Sequence, residues 1–176
     1  MTMWVFGYGS LLWNPGFDVA EHAVARLDGY ARSFCMRSIH HRGSEAEPGL
    51  VLALDTAPAK SCTGVALAVP EGAEDETRAY LRERELISSA YYEAELPLAL
   101  ADGRGVQALA YVINRGHSQY CGGLPLEEQA QIIARAIGGR GPNTEYLWNT
   151  ADHLRELGLE DPDLVWLSAR VREILR

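Results

Sequence analysis

Cysteine is scarce in this chain, and what there is lies far apart, at Cys35, Cys62 and Cys121. An odd number at such spacing builds neither a disulfide framework nor a C-x-x-C metal or redox motif. Each thiol is expected as a small buried hydrophobe in a reducing compartment. Cationic residues are also few, 16 Lys and Arg against 24 Asp and Glu, leaving a formal charge of −8. Nucleic acids and anionic membrane surfaces are bound through basic patches, and no run of Lys and Arg offers one. No apolar run approaches a membrane span. The start, Met1-Thr2-Met3-Trp4-Val5-Phe6, has no basic segment and reaches Gly7-Tyr8-Gly9 too soon for a signal peptide. The expectation is a cytoplasmic protein with neither nucleic acid nor membrane as partner.

Hydrophobic residues make up 47% of the 176, enough for one core without disulfide or metal support, so a single domain over residues 1–176 is expected. Met3 to Tyr8 reads as a buried strand, after which Gly9-Ser10 starts a loop that Pro15-Gly16 keeps from becoming a helix. Further strands are expected at Leu50 to Leu54, Cys62 to Val69, Tyr91 to Leu98 and Val106 to Ile113. A charged helix lies between Glu71 and Ile87. Past position 120 the chain turns helical. Pro125 opens a helix whose stripe is Leu126, Ala130, Ile133 and Ile137, stopped by Gly138-Gly139. Asn143 caps a second that buries Leu147, Ala151 and Leu154, and Asp161-Pro162 opens a third with the stripe Leu164, Leu167, Val171 and Leu175. Strands first and helices last predict an α+β fold, a mixed sheet or small β-barrel surrounded by helices. All the stripes can be satisfied within one chain, so a monomer fits.

Gly7-Tyr8-Gly9-Ser10-Leu11-Leu12-Trp13 is the most informative stretch, because glycines at a strand end let backbone approach a ligand. A dinucleotide fingerprint, for which Asp28 falls near the ribose-binding distance, fails because Leu12 occupies the third glycine position and Trp13-Asn14-Pro15-Gly16 cannot continue as the required helix. A nucleophile elbow fails because Tyr8 and Leu12 stand where glycines are needed, and no Gly-Lys-Ser or Gly-Lys-Thr makes a P-loop. A nest of backbone N–H groups holding a carboxylate remains, beside a tight turn that binds nothing.

Val5-Phe6-Gly7-Tyr8-Gly9-Ser10-Leu11-Leu12-Trp13 resembles the substrate-binding signature of the ChaC family of glutathione-specific γ-glutamylcyclotransferases. His41-Arg42-Gly43, Cys62-Thr63-Gly64-Val65-Ala66, Arg84-Glu85 and Asn143-Thr144-Glu145-Tyr146-Leu147 resemble family segments in the same order, so the resemblance runs from about Met3 to the carboxyl end. It implies an enzyme that releases 5-oxoproline and cysteinylglycine from glutathione, with the loop Val5, Phe6, Gly7, Tyr8, Gly9, Ser10 and Leu11 holding the γ-glutamyl group. Tyr146 takes a family tyrosine position associated with the substrate pocket. No cofactor and no metal are implied. Adjacent His40 and His41 would point to opposite faces of a strand, with no third ligand evident.

The chemistry explains what such a site needs. The substrate's α-amino nitrogen attacks its own side-chain carbonyl, so no protein nucleophile is required, and one carboxylate can carry the proton from that nitrogen to the departing amine. Burial would make that carboxylate a better acceptor. Helical spacing leaves Glu83 and Glu85 equally eligible; the family register assigns the base to Glu85. Arg37 and Arg42 are read either as counter-charges for an anionic substrate or as solvated surface charges. His40 stands where some members have Asp, and Leu86-Ile87-Ser88-Ser89-Ala90-Tyr91 lacks the Lys-Gly-Gly that comes after the base in others, which resembles bacterial-type members. Alternatives are a cyclotransferase for other γ-glutamyl amino acids or amines, and a non-catalytic binding protein on the same scaffold.

Overall fold

The computed structural model describes residues 2–86 and 89–176. By internal packing the chain divides into two units, Met1–Arg32 with Ala53–Ser118, and Ser33–Leu52 with Gln119–Arg176. The fold is α+β, with a closed five-stranded barrel and helices.

The barrel strands are β1 (Trp4–Gly7), β2 (Glu21–Ser38), β3 (Gly49–Ala68), β4 (Tyr91–Leu100) and β5 (Gly105–Ile113), in the order β1-β3-β2-β4-β5, with β3 also reaching β5. Pairing is mixed: β1 runs antiparallel to β3 and parallel to β5, and β4 pairs antiparallel with β5 along nearly all its length. Closure pairs every one of the five described strands on both sides. In the first unit the inward side chains include Trp4, Phe6, Ala25, Leu27, Leu54, Ala66, Leu98, Leu100, Ala108 and Ala110. Each β-strand contributes alternate residues to that core, as its period of two requires.

Three expectations about the elements need correction. β2, an 18-residue strand, has no counterpart among the expected elements. Its alternation is clear over Ala25, Arg26, Leu27 and Asp28, buried and exposed by turns, but Gly29 at φ +88° breaks the pattern. The two strands expected at 50–54 and 62–69 are parts of one, β3, whose middle carries the polar Thr56, Lys60 and Ser61 because it is exposed there. The loop expected after β1 contains a single helical turn, α1 (Ser10–Trp13), closed by Asn14 N–H to Ser10 C=O at 2.8 Å. α2 (Glu74–Glu85) comes after β3, with Glu74, Asp75 and Glu76 at its positive end and Arg82 and Arg84 at its negative end. The expected end of that helix at Ile87 lies outside the described residues.

The second unit holds α3 (Leu126–Arg135), α4 (Asn143–Glu156) and α5 (Pro162–Ile174), packed on one another through Ala130, Ile133, Leu147, Leu154, Leu164, Leu167 and Val171. Asp161 caps α5, accepting from Asp163 N–H at 3.1 Å and Leu164 N–H at 3.3 Å. Two apolar residues assigned to helix stripes fall outside them. Ile137 is 65% exposed in β6 (Ile137–Gly138), which pairs with β7 (Gly141–Pro142), because α3 ends at Arg135; Leu175 is 52% exposed beyond α5.

Asn143 is the first residue of α4 rather than its cap, and its fully buried side chain serves another element. Its Oδ1 accepts from Leu50 N–H and its Nδ2 donates to Leu50 C=O, both at 2.8 Å. The amide thus completes the hydrogen bonding of a β3 residue that is itself fully buried. Asn143→Ala should cost about 2–4 kcal/mol by urea unfolding, since it orphans a buried donor and a buried acceptor together. A loss below about 1 kcal/mol would show that water replaces the amide.

Candidate active site

β1 carries the chain through the core of the first unit, with Val5 and Phe6 fully buried, so those two side chains set where the following loop begins. Gly7 pairs opposite Val65, and a side chain on neighbouring Gly64 would collide with the Gly7 carbonyl oxygen. Glycine at 64 therefore permits the close approach of β3 to the end of β1. Tyr8 turns inward, and its hydroxyl donates to Tyr111 C=O at 2.9 Å. Leu12 N–H then returns to Gly9 C=O at 2.9 Å. The N–H groups of Ser10 and Leu11 meet no acceptor among the described residues.

Two arginines bracket this loop. Arg32, from β2, donates through Nε to Tyr8 C=O at 2.6 Å and through Nη2 to Thr63 C=O. Arg84, from the last turn of α2, donates through Nη2 to Ser10 Oγ at 3.0 Å, and through Nη1 to Asn14 C=O at 2.7 Å, Pro15 C=O at 3.0 Å and Tyr80 Oη at 3.2 Å. Its side chain is 10% exposed. Sequence reasoning assigns neither arginine a role of its own. Arg84 lies one helical turn past Tyr80, a spacing that could have marked the pair as neighbours.

Glu85 ends α2, and its Oε1 stands 3.3 Å from Arg84 Nε with the side chain 16% exposed. It continues the inward row of Thr77 and Leu81 at four-residue steps, whereas Glu83 is exposed. A carboxylate at the negative end of a helix is disfavoured, and the neighbouring guanidinium offsets that. The charge of Glu85 also reaches the buried Tyr111. Burial first, then the hydrogen bond to Glu93, pushes the Tyr111 hydroxyl far above its ordinary range, so it remains a donor, to Glu93 Oε1 at 3.0 Å. Glu93, on β4, also binds Arg82 at 3.0 Å and Arg78 at 3.8 Å. Burial pushes its carboxyl upward, but the Arg82 and Tyr111 hydrogen bonds outweigh that and hold it below the usual glutamate range.

One unit thus brings together the glycine loop, Glu85, Arg32, Arg84 and Tyr111. Tyr146 lies in the other unit, where its hydroxyl accepts from Leu52 N–H at 3.1 Å and its ring meets Phe34 edge-on. Arg42 belongs there too and is not a solvated charge. It is 5% exposed, donates to Pro142 C=O at 3.1 Å, and stands 5.9 Å over the Tyr146 ring and 3.6 Å from Glu145. The Arg37 carbonyl accepts from Gln119 Nε2 at 2.8 Å. Asp28 makes an exposed ion pair with Arg26 at 2.9 Å. Among the described residues no three His, Cys, Asp or Glu side chains gather as metal ligands. No helix among them is long and apolar enough to cross a membrane. Of the segment after Glu85, Ile87 and Ser88 lie outside the described residues.

Comparison with known proteins matches residues 3–174 to the family model described as ChaC-like protein. The chain is 35% identical over 173 residues to the glutathione-specific gamma-glutamylcyclotransferase of Escherichia coli, covering 98% of this chain and 74% of that protein. It is 34% identical over 183 residues to gamma-glutamylcyclotransferase 2-3 of Arabidopsis thaliana, covering 99% and 91%. Its fold is similar to that of a crystal structure of a yeast gamma-glutamyl cyclotransferase specific to glutathione, with TM-score 0.87 at 24% identity and full coverage of both chains.

The lowered Glu93 carboxyl makes stability depend on pH. Its folded form ionises below the ordinary value of 4.5, so the stabilisation is complete above that value and is lost as pH falls through the folded one. Glu93→Gln should unfold at lower urea than wild type at neutral pH, by about 1 kcal/mol or more, and the gap should close in acid. A gap that stays constant from neutral pH into acid would count against the ionised pairing.

Proposed function

The chain belongs to the ChaC-like family, and on that premise we propose that it cleaves glutathione by cyclising the γ-glutamyl group, giving 5-oxo-L-proline and L-cysteinylglycine. The observation that carries the reading is a meeting of two parts on one guanidinium: Arg84 stands 3.3 Å from Glu85 and 3.0 Å from Ser10 of the glycine loop. A carboxylate is thereby held within one side chain's reach of backbone N–H groups that have no acceptor of their own among the described residues.

In this reading the N–H groups of Ser10 and Leu11 receive the α-carboxylate of the glutamyl arm, and Arg32 and Arg84 supply positive charge beside it, against the protein's formal charge of −8. The arm is held folded, so its amino nitrogen lies against its own δ-carbon. Orientation of that kind removes roughly 7–11 kcal/mol from an intramolecular barrier. The amino group, in its neutral form, attacks that carbon, forming the new C–N bond and closing the five-membered ring, and Glu85, as a carboxylate, takes one of its two protons as the bond forms. As the bond from that carbon to the cysteine nitrogen breaks, Glu85 returns the proton to the departing amine. Proton count and charge balance without a protein nucleophile.

The name of the Escherichia coli relative supports glutathione as the substrate over other γ-glutamyl compounds. The same reading puts the reaction in the cytoplasm, where Cys35, Cys62 and Cys121, none of them in a disulfide, stay reduced.

Glu85→Gln should lower 5-oxoproline release from glutathione by about 10²–10⁴-fold with melting temperature near wild type. Glu83→Gln, an exposed change on the same helix, should retain activity. Full activity of folded Glu85→Gln would remove the base from the mechanism. Wild-type protein assayed on glutathione and on γ-glutamyl-alanine in parallel should release 5-oxoproline faster from glutathione; the reverse order would assign it to other γ-glutamyl amino acids.

A further inference from the structure

We infer that Arg84 is a positioning residue for the reaction, fixing where Glu85 stands relative to the glycine loop. The inference rests on the proposed cyclisation and adds a part that the cyclisation itself does not require. Arg84 donates to acceptors on three separate pieces of backbone and side chain: Ser10 Oγ in α1, the carbonyls of Asn14 and Pro15 beyond it, and the Tyr80 hydroxyl one turn back on α2. Its Nε faces Glu85. A planar guanidinium can satisfy these directions at once because its N–H groups are fixed in one plane; a lysine ammonium offers three donors at a single point.

The loop is pressed against the same helix by a second contact. Gly16 adopts φ +77°, and a side chain there would run into the Tyr80 hydroxyl, the same oxygen that Arg84 binds. The segment from Ser10 to Gly16 is therefore held to α2 at Ser10, Asn14, Pro15 and Gly16, with Arg84 as the polar tie and Gly16 as the close approach. At 10% exposure Arg84 would be costly to hold without these acceptors, so loop and cation fix each other.

Arg32 and Arg84 do different work on the loop. Arg32 grips Tyr8 C=O from the strand side, next to the N–H groups proposed for the substrate carboxylate. Arg84 grips Ser10, Asn14 and Pro15 from the helix side, next to the base. Replacing Arg84 by Lys keeps a positive charge beside the carboxylate cradle but loses the fixed donor plane and lets Glu85 drift, and a displacement near 1 Å costs about 10²-fold in rate.

The test uses Arg84→Lys, which keeps the charge, and Tyr80→Phe, which removes one acceptor while leaving cation and base intact. Arg84→Lys should lower kcat about 100-fold with KM within about threefold of wild type, and Tyr80→Phe should shift kcat in the same direction by a smaller factor. Guanidinium at millimolar concentration should partly restore kcat to Arg84→Ala, while ethylammonium should not. Hydrogen exchange at Leu12 and Asn14, whose N–H groups bond within the loop, should quicken in Arg84→Lys with the rest of the first unit unchanged. Unchanged kcat in folded Arg84→Lys, a rise in KM alone, or unaltered exchange at Leu12 and Asn14 would each overturn the inference. If wild type releases no 5-oxoproline from any γ-glutamyl substrate, the functional reading fails by itself and the positioning role for that reaction is overturned with it, while the exchange measurement still shows whether Arg84 ties the loop to α2.

Discussion

Arg84 carries a permanent charge at 10% exposure, and a charge so placed must be met by acceptors or displaced into solvent. It is met by the chain it organises. Asn14 and Pro15 turn their carbonyls to it, Ser10 its hydroxyl oxygen, and Glu85 its carboxylate. The first three of those acceptors come from residues some 70 positions away in sequence, so the tie closes a long stretch of chain. Around it the barrel supplies the rigid parts. β1 fixes the start of the loop, and Leu81, fully buried on α2, fixes the helix that presents both Arg84 and Glu85.

The loop itself was legible because its chemistry is local. Gly7-Tyr8-Gly9-Ser10 fails each rival motif at particular residues, and the strand before it is apolar throughout. Glu85, the carboxylate proposed as the base, is singled out in the sequence only through the family register. Spacing alone cannot separate Glu83 from Glu85, and what separates them in space is the row of Thr77 and Leu81 facing inward, which is visible in the sequence only once one knows which face of a highly charged helix is buried. Arg32 and Arg84 escaped because their partners are mostly backbone carbonyls, and a carbonyl leaves no mark in a sequence.

The same distinction explains the elements. The helices of the second unit announce themselves by period and by breakers, as at Asp161-Pro162. β2 does not, since its interior carries Arg26, Asp28, Gly29 and Arg32, residues that read as a loop until a barrel provides partners on both sides. Asn143 shows tertiary structure overriding a local rule: a residue type that favours caps is drawn away to the buried backbone of Leu50, and Pro142 stands at the cap instead.

The Ser10 hydroxyl has a direction. A guanidinium has donors and no acceptor, so the oxygen that receives from Arg84 keeps its own hydrogen for something else. Ser10 is therefore a dipole aligned by a largely buried side-chain cation, with its electron-rich side toward Arg84 and its positive end turned away. A side chain that would rotate freely on an ordinary loop is here electrically oriented before any ligand arrives.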